Sequence, residues 1–466
     1  EDRSAADAPA ALRSDFGPTL TGTGGYWQDA KPALDGADGR PKRDTAQRHV
    51  GFSFDQTNRR QPRRALLALS NALLCLGPSC GRANLARPSS TDPTSRTNAL
   101  ARDPVGWKKS MDDEIANHES NGSWEWIRRD ALPAGRHLIK LVWVFKTKRD
   151  GRQKSRLCVQ GCAQTAGIDY HQTFSAALHS SSLRMLASLA SHNRLKLRRF
   201  DFVAAYLQGE LEDGEVVYCF PPPGYERYAD DGTPMVCKVV KPVYGMAQAG
   251  RRWQRSLFPW LLSRGFKQCE SETCVFTLTR TVSTPAGPRD ERLTIGVYVD
   301  DLAILYSHDD EHSLYSEFVK ALQRWKVEDE GELSDLLGID FSRDGGAIKL
   351  SQGKYVQRLF ETYLPDGAPA GVDSRTPCGP ELESQVLAAL LQQASDVDPA
   401  LLRQYQSIVG ALLYCATNTR PDVAYAVGML CRAMGKPTDD LYSSAERVLR
   451  YLHRTRDLGL RFQASS

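Results

Sequence analysis

The stretch LTIGVYVDDLAILY, residues 293–306, contains two runs of β-branched, aliphatic and tyrosine residues on either side of a pair of aspartates. Each run has the length and the composition of a β-strand. The stretch therefore predicts a β-hairpin with Asp300 and Asp301 at its turn. Because paired aspartates are also ordinary turn residues, a chemical role for these carboxylates requires a third acidic partner.

Asp201 is the candidate partner. It lies in RLKLRRFDFVAAYLQGEL, where an alternating run over residues 195–202 gives way to a short helical pattern. This pattern places Asp201 at the carboxyl end of a strand, which is a common position for active-site residues. Several carboxylates in one place suit Mg²⁺, a hard ion that prefers oxygen ligands, and a two-metal site for phosphoryl transfer.

Composition indicates an ordinary globular protein of two or three cores, with 466 residues, 41% of them hydrophobic and 25% charged. The net charge of +4 is uneven, because residues 1–102 carry 15 Lys and Arg against 10 Asp and Glu. The overall charge is therefore a weak indication of nucleic-acid binding. Residues 136–156 are more informative, since eight basic residues and one acid, Asp150, alternate there with Trp143 and Phe145. That density suits a polyanion.

The 11 cysteines lack the spacing and the nearby histidines that a zinc site needs, which favours free thiols in a reducing compartment. The longest apolar run, residues 65–77, is too short to span a bilayer and predicts a helix. No membrane association is expected. The first residue is Glu1 rather than Met, from which we expect a trimmed product or a partial gene model.

Along the chain, residues 1–62 and 86–102 have the composition of flexible connectors. An amphipathic helix is predicted from Asp103-Pro104 to Asn121-Gly122, because it has a cap, an early proline and apolar residues at helical spacing. Further patterns predict a basic hairpin that turns at Asp150-Gly151, a helix at 181–192, a strand at 235–240, a turn and a helix within 241–262, helical spacing at 309–325, a hairpin of 336–341 with 347–350, and helices from residue 353 onward. The fold class is therefore α+β.

Several stretches together resemble the reverse transcriptase of Ty1/copia-type retrotransposons, part of the Pol polyprotein, over residues 107–462. These stretches are KSRLCVQGCAQTAGIDYHQTFSA, FDFVAAYLQGELEDGEVVYCFPPPGY, VCKVVKPVYGMAQAGRRW, YVDDLAIL, LLGIDF, LSQGKYV, YQSIVGALLYCATNTRPDVAYAVGML and RVLRYL. The resemblance implies a right-hand polymerase whose palm is an antiparallel sheet flanked by helices. It also implies fingers at residues 103–190, a palm at 191–345, and a thumb or connection at 346–466, after a mostly disordered region at 1–102.

The resemblance implies an RNA-directed DNA polymerase in which Asp201, Asp300 and Asp301 are the catalytic residues and bind Mg²⁺, with Mn²⁺ as a substitute. Tyr206 matches the aromatic residue that selects deoxynucleotides, and Gln248 matches a glutamine that contacts the nucleotide sugar and the template. The resemblance also implies that Lys154 and Arg156 bind the triphosphate, with Lys146 and Lys148 as rivals. The residues implied to contact the primer are Tyr298, Val299, Leu337 and Gly338. Those implied to contact the duplex are Arg251, Arg252 and Arg255.

The implied partners are an RNA template, a DNA or tRNA primer and deoxynucleoside triphosphates, in a cytoplasmic particle or the nucleus.

The sequence departs from the family pattern at Pro242, Gly250 and Cys162, none of which is an expected metal ligand. The acidic motifs of a ribonuclease H domain do not follow residue 462, so no cleavage of the RNA strand is expected. Protease and integrase motifs are likewise not found in the first hundred residues.

Two alternatives stay open: an inactive transposon relic that at most binds nucleic acid, and a domesticated host enzyme. The sequence does not determine the oligomeric state.

Overall fold

The computed structural model describes residues 92–147, 151–212, 214–285, 287–367, 375–392 and 397–464, all within one structural unit, Pro62–Ser466. Helices and sheets are mixed in this part of the chain, as the predicted α+β class requires. The predicted helix at 65–77, the predicted connector before residue 92, and Lys148 and Asp150 of the basic hairpin lie outside the described residues. None of the described helices combines the length and the apolar character needed to cross a membrane.

The first helix, α1 (Arg96–Arg102), lies where composition predicts a flexible connector, so that prediction is wrong for these residues. The Ser95 hydroxyl accepts a hydrogen bond from the Asn98 backbone N–H at 3.1 Å, and Ala99 is buried in the core. Helix α2 (Pro104–Ser120) follows directly and matches its prediction. The Asp103 side chain caps it by accepting from the Gly106 N–H at 2.9 Å, and Pro104 occupies its first turn, where the lack of an N–H costs nothing.

Helices α1 and α2 pack on a first layer of two sheets. The strands of this layer are β1 (Trp124–Arg128), β2 (Leu138–Ile139), β3 (Leu141–Thr147), β4 (Gln153–Val159), β6 (Val217–Cys219) and β7 (Met235–Val239). One sheet has the order β1-β7-β6-β2, and β3 pairs with β4 in an antiparallel hairpin of its own. The basic hairpin that the sequence predicts is therefore confirmed over its strands.

The central sheet has six strands in the order β12-β5-β11-β10-β9-β8. Their bounds are β5 (Lys196–Phe202), β8 (Lys267–Gln268), β9 (Val275–Thr284), β10 (Gly287–Tyr298), β11 (Asp301–Tyr306) and β12 (Val327–Glu332). One face packs against α4 (Ala249–Ser263) and α5 (Leu314–Leu322), through residues that include Phe200, Trp253 and Phe318. The other face packs against α3 (Ser180–His192), through residues that include Leu183, Leu197 and Ala303.

A fourth sheet, in the order β13-β14-β15-β16, shares a core with α3 and the central sheet. Its strands are β13 (Asp335–Leu336), β14 (Ile339–Asp344), β15 (Ala347–Ser351) and β16 (Gly459–Phe462). The sequence predicts one strand over 336–341, but Leu336 pairs back onto Ile339, so Leu337 and Gly338 form a turn. The C-terminal helices share a separate core; they are α6 (Gly353–Tyr363), α7 (Leu382–Leu391), α8 (Pro399–Asn418), α9 (Ala424–Arg432) and α10 (Asp439–Arg454).

Gly245 fixes the first layer against the turn that precedes α4. Its φ is +87°, and a Cβ there would stand 2.2 Å from the carbonyl oxygen of Val159. The Val159 N–H donates to the Tyr244 carbonyl at 2.7 Å. The end of β4 therefore rests on the backbone of the Tyr244-Gly245 turn, and no residue with a side chain fits this close approach.

We expect Gly245→Ala to destabilise the protein by about 2 kcal/mol or more, because it combines the cost of a positive φ with a backbone clash. Gly265 is a matched control, since it has the same φ of +87° but its Cβ would meet only Leu278 Cδ1 at 3.7 Å. Gly265→Ala should cost about 1 kcal/mol. Urea unfolding followed by tryptophan fluorescence measures both. Equal losses would contradict the close approach as the cause.

Candidate active site

The pairing of β5 with β11 sets Asp201 directly opposite Asp301. Residues that face each other across an antiparallel pair point to the same side of the sheet. Asp201 shares its side with Leu197 on β5, and Asp301 shares it with Ala303 and Leu305 on β11, all three of which belong to the core beneath α3. Two of the three predicted carboxylates are therefore neighbours on one face, at the end of the strands.

Asp300 occupies the turn of the predicted hairpin, whereas Asp301 begins β11 rather than lying in the turn. Tyr298 pairs with Asp301, so the turn has two residues, Val299 and Asp300. Val299 has a φ of +54°, which is unusual for a β-branched residue and matches a type II′ turn, where glycine is usual. Backbone of this kind stores of the order of 1–3 kcal/mol of strain and is common at active sites.

Two hydrogen bonds from other elements hold this turn in place. The indole Nε1–H of Trp253, on α4, donates to the carbonyl oxygen of Val299 at 2.6 Å. The backbone N–H of Phe202, at the end of β5, donates to the carbonyl oxygen of Asp300 at 2.8 Å. The second bond ties Asp300 to the strand that carries Asp201, so the hairpin tip and Asp201 cannot separate without breaking it.

Burial makes all three carboxylates harder to ionise, and neighbouring carboxylate charges add to this effect at Asp201 and Asp301. Burial, followed by the charges of Asp300 and Asp301, raises the pKa of Asp201 to about 7. Burial also raises the pKa of Asp301 to about 6, against the opposing effect of Arg199, and raises the pKa of Asp300. Like charges in a poorly solvated place favour protonation or a bound cation.

Arg199 is the basic side chain that contacts this cluster. Its Nη2 lies 2.8 Å from Asp301 Oδ1 in a half-buried ion pair. Among the described residues, neither Asp201 nor Asp300 has a basic side chain within ion-pair distance, and no three His, Cys, Asp or Glu side chains already have the arrangement of a metal site. The donor set of three carboxylates nevertheless fits a hard divalent cation, because their charge exceeds that of one guanidinium.

The side chains of Tyr206 and Tyr244 form a tyrosine shelf beside the carboxylates, and Arg156 packs against it. The rings of Tyr206 and Tyr244 lie 5.2 Å apart between centroids, and the Arg156 guanidinium lies 5.3 Å from the centroid of Tyr244. Burial and the charge of Asp300 raise the pKa of Tyr206 to about 12, while the charge of Arg156 opposes the rise at Asp300. Arg156 and Tyr206 are thus electrostatically coupled to the carboxylates, as expected if they share one site.

Tyr244 is a residue of this site that the sequence analysis does not identify. Nothing in its spacing indicates that its ring reaches Tyr206. The available signal is the adjacent Gly245, whose positive φ docks this turn on β4 and so brings Tyr244 beside Arg156.

The other predicted finger cations are less directly placed. The Lys154 ammonium lies 3.6 Å from the buried Glu114 carboxylate, and Lys146 is its exposed cross-strand partner. Lys148 lies outside the described residues. Of the candidates that the structure describes, Arg156 is the one in contact with the tyrosine shelf.

Gln248 is fully buried, which gives it no exposed surface to offer a nucleotide. Its amide nitrogen donates to the carbonyl oxygen of Asp169 at 3.0 Å, and its amide oxygen accepts from Gln164 Nε2 at 3.0 Å. In this conformation Gln248 therefore fixes the loop at 164–169 against the start of α4. A nucleotide contact through Gln248 stays a prediction.

The predicted primer residues lie around the carboxylates and on the fourth sheet. Tyr298 is paired with Asp301, and burial together with the charges of both hairpin aspartates raises its pKa to about 12. Tyr298 and Leu337 pack against the same core beneath α3.

Among the predicted duplex contacts, Arg252 is buried and paired with Glu215 at 2.6 Å, so it is not available to phosphates. Arg255 is exposed.

The family model described as reverse transcriptase (RNA-dependent DNA polymerase) matches residues 123–368. This chain belongs to that family. The match includes the whole hairpin, Asp201 and the tyrosine shelf.

Similarity to known proteins narrows the class to copia-type Pol polyproteins. The chain is 33% identical over 383 residues to the Retrovirus-related Pol polyprotein from transposon RE1 of Arabidopsis thaliana, which covers 81% of this chain and 24% of the relative. It is 30% identical over 364 residues to the corresponding polyprotein from transposon TNT 1-94 of Nicotiana tabacum, covering 74% of this chain and 25% of the relative. A Ty1-JR2 Gag-Pol polyprotein of Saccharomyces cerevisiae is 23% identical over 329 residues, covering 69% of this chain and 18% of the relative. The chain thus spans about a quarter or less of the length of these curated relatives.

We expect Asp201→Asn to stabilise the protein at pH 8 in the absence of divalent ions. The pKa of Asp201 is about 7 in the folded protein, against an ordinary value of 3.8. The folded state therefore keeps a proton that the unfolded chain has released, and this contribution to stability is complete below pH 3.8 and is lost as the pH rises through about 7. The gain at pH 8 should be on the order of 1 kcal/mol and should vanish near pH 4.

Urea unfolding at the two pH values measures this difference. Asp309→Asn is a matched control, because Asp309 is an exposed carboxylate paired with Lys196 at 2.7 Å. It should bring no gain at pH 8. A gain for Asp201→Asn that is larger at pH 4 than at pH 8 would contradict the assigned charge cluster.

Proposed function

We propose that this chain is the RNA-directed DNA polymerase module of a copia-type Pol polyprotein. It would extend the 3′-hydroxyl of a DNA or tRNA primer with deoxynucleoside triphosphates, copying an RNA template. The observation that carries the proposal is the cross-strand pair of Asp201 and Asp301 beside Asp300, in which burial raises all three pKa values and the charge of Asp300 adds to the rise at Asp201 and Asp301.

The proposed right-hand arrangement follows the layers of the fold. The palm, residues 191–345, contains the six-stranded sheet and its carboxylates. The fingers, residues 103–190, contain α2 and the basic hairpin of β3 and β4. The thumb or connection, residues 346–466, contains the C-terminal helices, and this division is supported by the separate core that those helices share.

Asp201, Asp300 and Asp301 would hold the divalent ions, Mg²⁺ or Mn²⁺. When bound, such ions neutralise the triphosphate and lower the pKa of the primer 3′-hydroxyl. Their positive charge would also return the raised pKa values of the three carboxylates toward the ordinary range, since a cation favours the ionised form. Arg199 would restrain Asp301 and leave Asp201 and Asp300 as the more available ligands.

The chain's own residues would position the incoming nucleotide. Arg156 would bind phosphate oxygens, because a guanidinium offers several donors in a fixed plane. Tyr206 would lie under the sugar and exclude a 2′-hydroxyl by steric clash, and Tyr244 would support the ring of Tyr206 from the side. Lys154 would add a second cation on leaving Glu114. The nucleotide would then lie between the basic hairpin and the carboxylates.

The primer end would lie along Tyr298 and Val299, with the Leu337-Gly338 turn on its other side. The primer and template would form a duplex of A-like shape held through its phosphates, so binding should tolerate many sequences and weaken with salt. The exposed Arg255 is a candidate phosphate contact.

Primer extension on a homopolymer RNA template with a DNA primer and Mg²⁺ or Mn²⁺ tests the proposal. We expect the wild type to extend the primer, and Asp300→Asn to lower the rate on the order of 10²–10³-fold, because loss of a metal ligand weakens binding of the divalent ions that stabilise the transition-state charge. Asp309→Asn, a surface carboxylate remote from the cluster, should extend at the wild-type rate.

Extension that persists in Asp300→Asn would show that the site is wrongly assigned. If the wild type fails to extend with either ion but shifts a hybrid duplex in a gel, the chain is an inactive relic that binds nucleic acid.

Replacement of Tyr206 tests the sugar selection. We expect Tyr206→Ala to raise the use of ribonucleotides relative to deoxynucleotides on the order of tenfold or more, because the space for a 2′-hydroxyl opens. The measurement is the ratio of kcat/KM for the two nucleotides. Tyr228→Ala is the control, since Tyr228 is 64% exposed. An unchanged ratio in Tyr206→Ala would contradict the proposed gate.

A further inference from the structure

The turn at Leu337 and Gly338 resembles the turn that carries Asp300 in one respect: its first residue has a positive φ but is not glycine. Leu336 pairs with Ile339, so the turn has two residues, and their φ angles are +56° and +72°. Two positive φ angles define a type I′ turn, in which Asn-Gly is preferred. Leucine is a poor choice for the first position, because its Cβ crowds the backbone there. Something outside the turn must therefore stabilise it.

Tyr414 supplies that support from helix α8. Its hydroxyl donates a hydrogen bond to the carbonyl oxygen of Leu337, a residue 77 positions earlier in the chain. The ring of Tyr355 packs edge-on against the Tyr414 ring, with centroids 5.2 Å apart. Burial and the nearby Tyr298 raise the pKa of Tyr414, so the hydroxyl keeps its proton and remains a donor.

The same end of α8 is anchored to the layer of the central sheet at a second point. The Arg184 guanidinium, on α3, donates to the carbonyl oxygens of Thr417 at 2.9 Å and of Asn418 at 3.2 Å. The C-terminal end of α8 is therefore held at two points, at Tyr414 by the Leu337 turn and at Thr417 and Asn418 by α3. A shift of the C-terminal helices would be transmitted to the turn through the tyrosine hydroxyl.

We propose that Tyr414 is a positioning residue for the primer: its hydroxyl holds the Leu337-Gly338 turn in the strained conformation that receives the primer end. This inference rests on the proposed polymerase function and on the proposed place of that turn beside the primer. It extends the site beyond residues 123–368, the part of the chain that the family model matches.

Tyr414→Phe removes the hydroxyl and keeps the ring. Loss of one hydrogen bond to a strained carbonyl should raise the KM for the primer–template about three- to tenfold, while the KM for the nucleotide stays within about twofold, since Tyr414 does not touch the tyrosine shelf. Steady-state extension with the full chain measures both constants, and fluorescence anisotropy with a labelled hybrid duplex measures primer–template affinity without turnover.

Tyr405→Phe is the matched control. Tyr405 lies on the same helix and its hydroxyl also donates to a backbone carbonyl, that of Leu430 at 2.8 Å, but inside the helical core. Thermal melting should show that Tyr405→Phe is destabilised at least as much as Tyr414→Phe, with no change in the KM for the primer–template. Such a result separates positioning from general stability.

If the wild type extends primers, three outcomes would overturn the inference about Tyr414 and leave the proposed polymerase function intact. They are a wild-type KM for the primer–template in Tyr414→Phe, an equal rise in Tyr405→Phe, and an equal rise in the KM for the nucleotide. Absence of extension by the wild type would instead contradict the proposed function, in which case anisotropy still reports whether Tyr414→Phe weakens duplex binding.

Discussion

The register between β5 and β11 is the constraint on which the site depends. It places Asp201 opposite Asp301 in a half-buried environment, where the two charges repel each other and that of Asp300. A slip of one residue would turn every side chain of β5 to the opposite face, moving Asp201 away from Asp301 and Leu197 out of the core beneath α3. The apolar cores on both faces of the sheet therefore fix the register, and the burial of Phe200 and Leu305 offsets the cost of the assembled charges.

Strain at two turns is the second feature that connects fold and site. Val299 and Leu337 both have positive φ angles, although neither is a glycine, asparagine or aspartate. In each case an aromatic side chain from a helix donates a hydrogen bond to the carbonyl of the strained residue: Trp253 from α4 and Tyr414 from α8. The two helices belong to different cores, so the turns are points at which separate parts of the protein restrain the same site.

Much of this arrangement could be predicted from the sequence, because its signals are local. Alternation over 195–202 and the apolar runs around Asp300 predicted the strands, and Asp103-Pro104 predicted the start of α2. The flexible connector at 86–102 was wrong for α1, because composition outweighed the local cap at Ser95. The apolar pattern predicted one strand across Leu337 and Gly338, because this turn lacks the Asn-Gly or Asp-Gly pair that normally marks a type I′ turn.

Contacts between distant residues could not be predicted in this way. The resemblance pointed to Gln248, yet the burial of its amide depends on Gln164 and Asp169, some 80 positions away. The contact of Tyr244 with Tyr206 and Arg156 depends on how β4 docks on Gly245, which spacing along the chain does not reveal. Tyr414 likewise reaches Leu337 only through the packing of α8.

Binding of Mn²⁺ shows whether Asp201, Asp300 and Asp301 share a divalent ion, and it does so without requiring turnover. Electron paramagnetic resonance can follow the titration of Mn²⁺ into the wild type, Asp201→Asn and Asp309→Asn in the presence of primer–template and nucleotide. We expect a bound Mn²⁺ signal in the wild type and in Asp309→Asn, and binding that is weaker on the order of tenfold or more in Asp201→Asn. Equal Mn²⁺ binding by Asp201→Asn and the wild type would show that Asp201 takes no part in holding the ion.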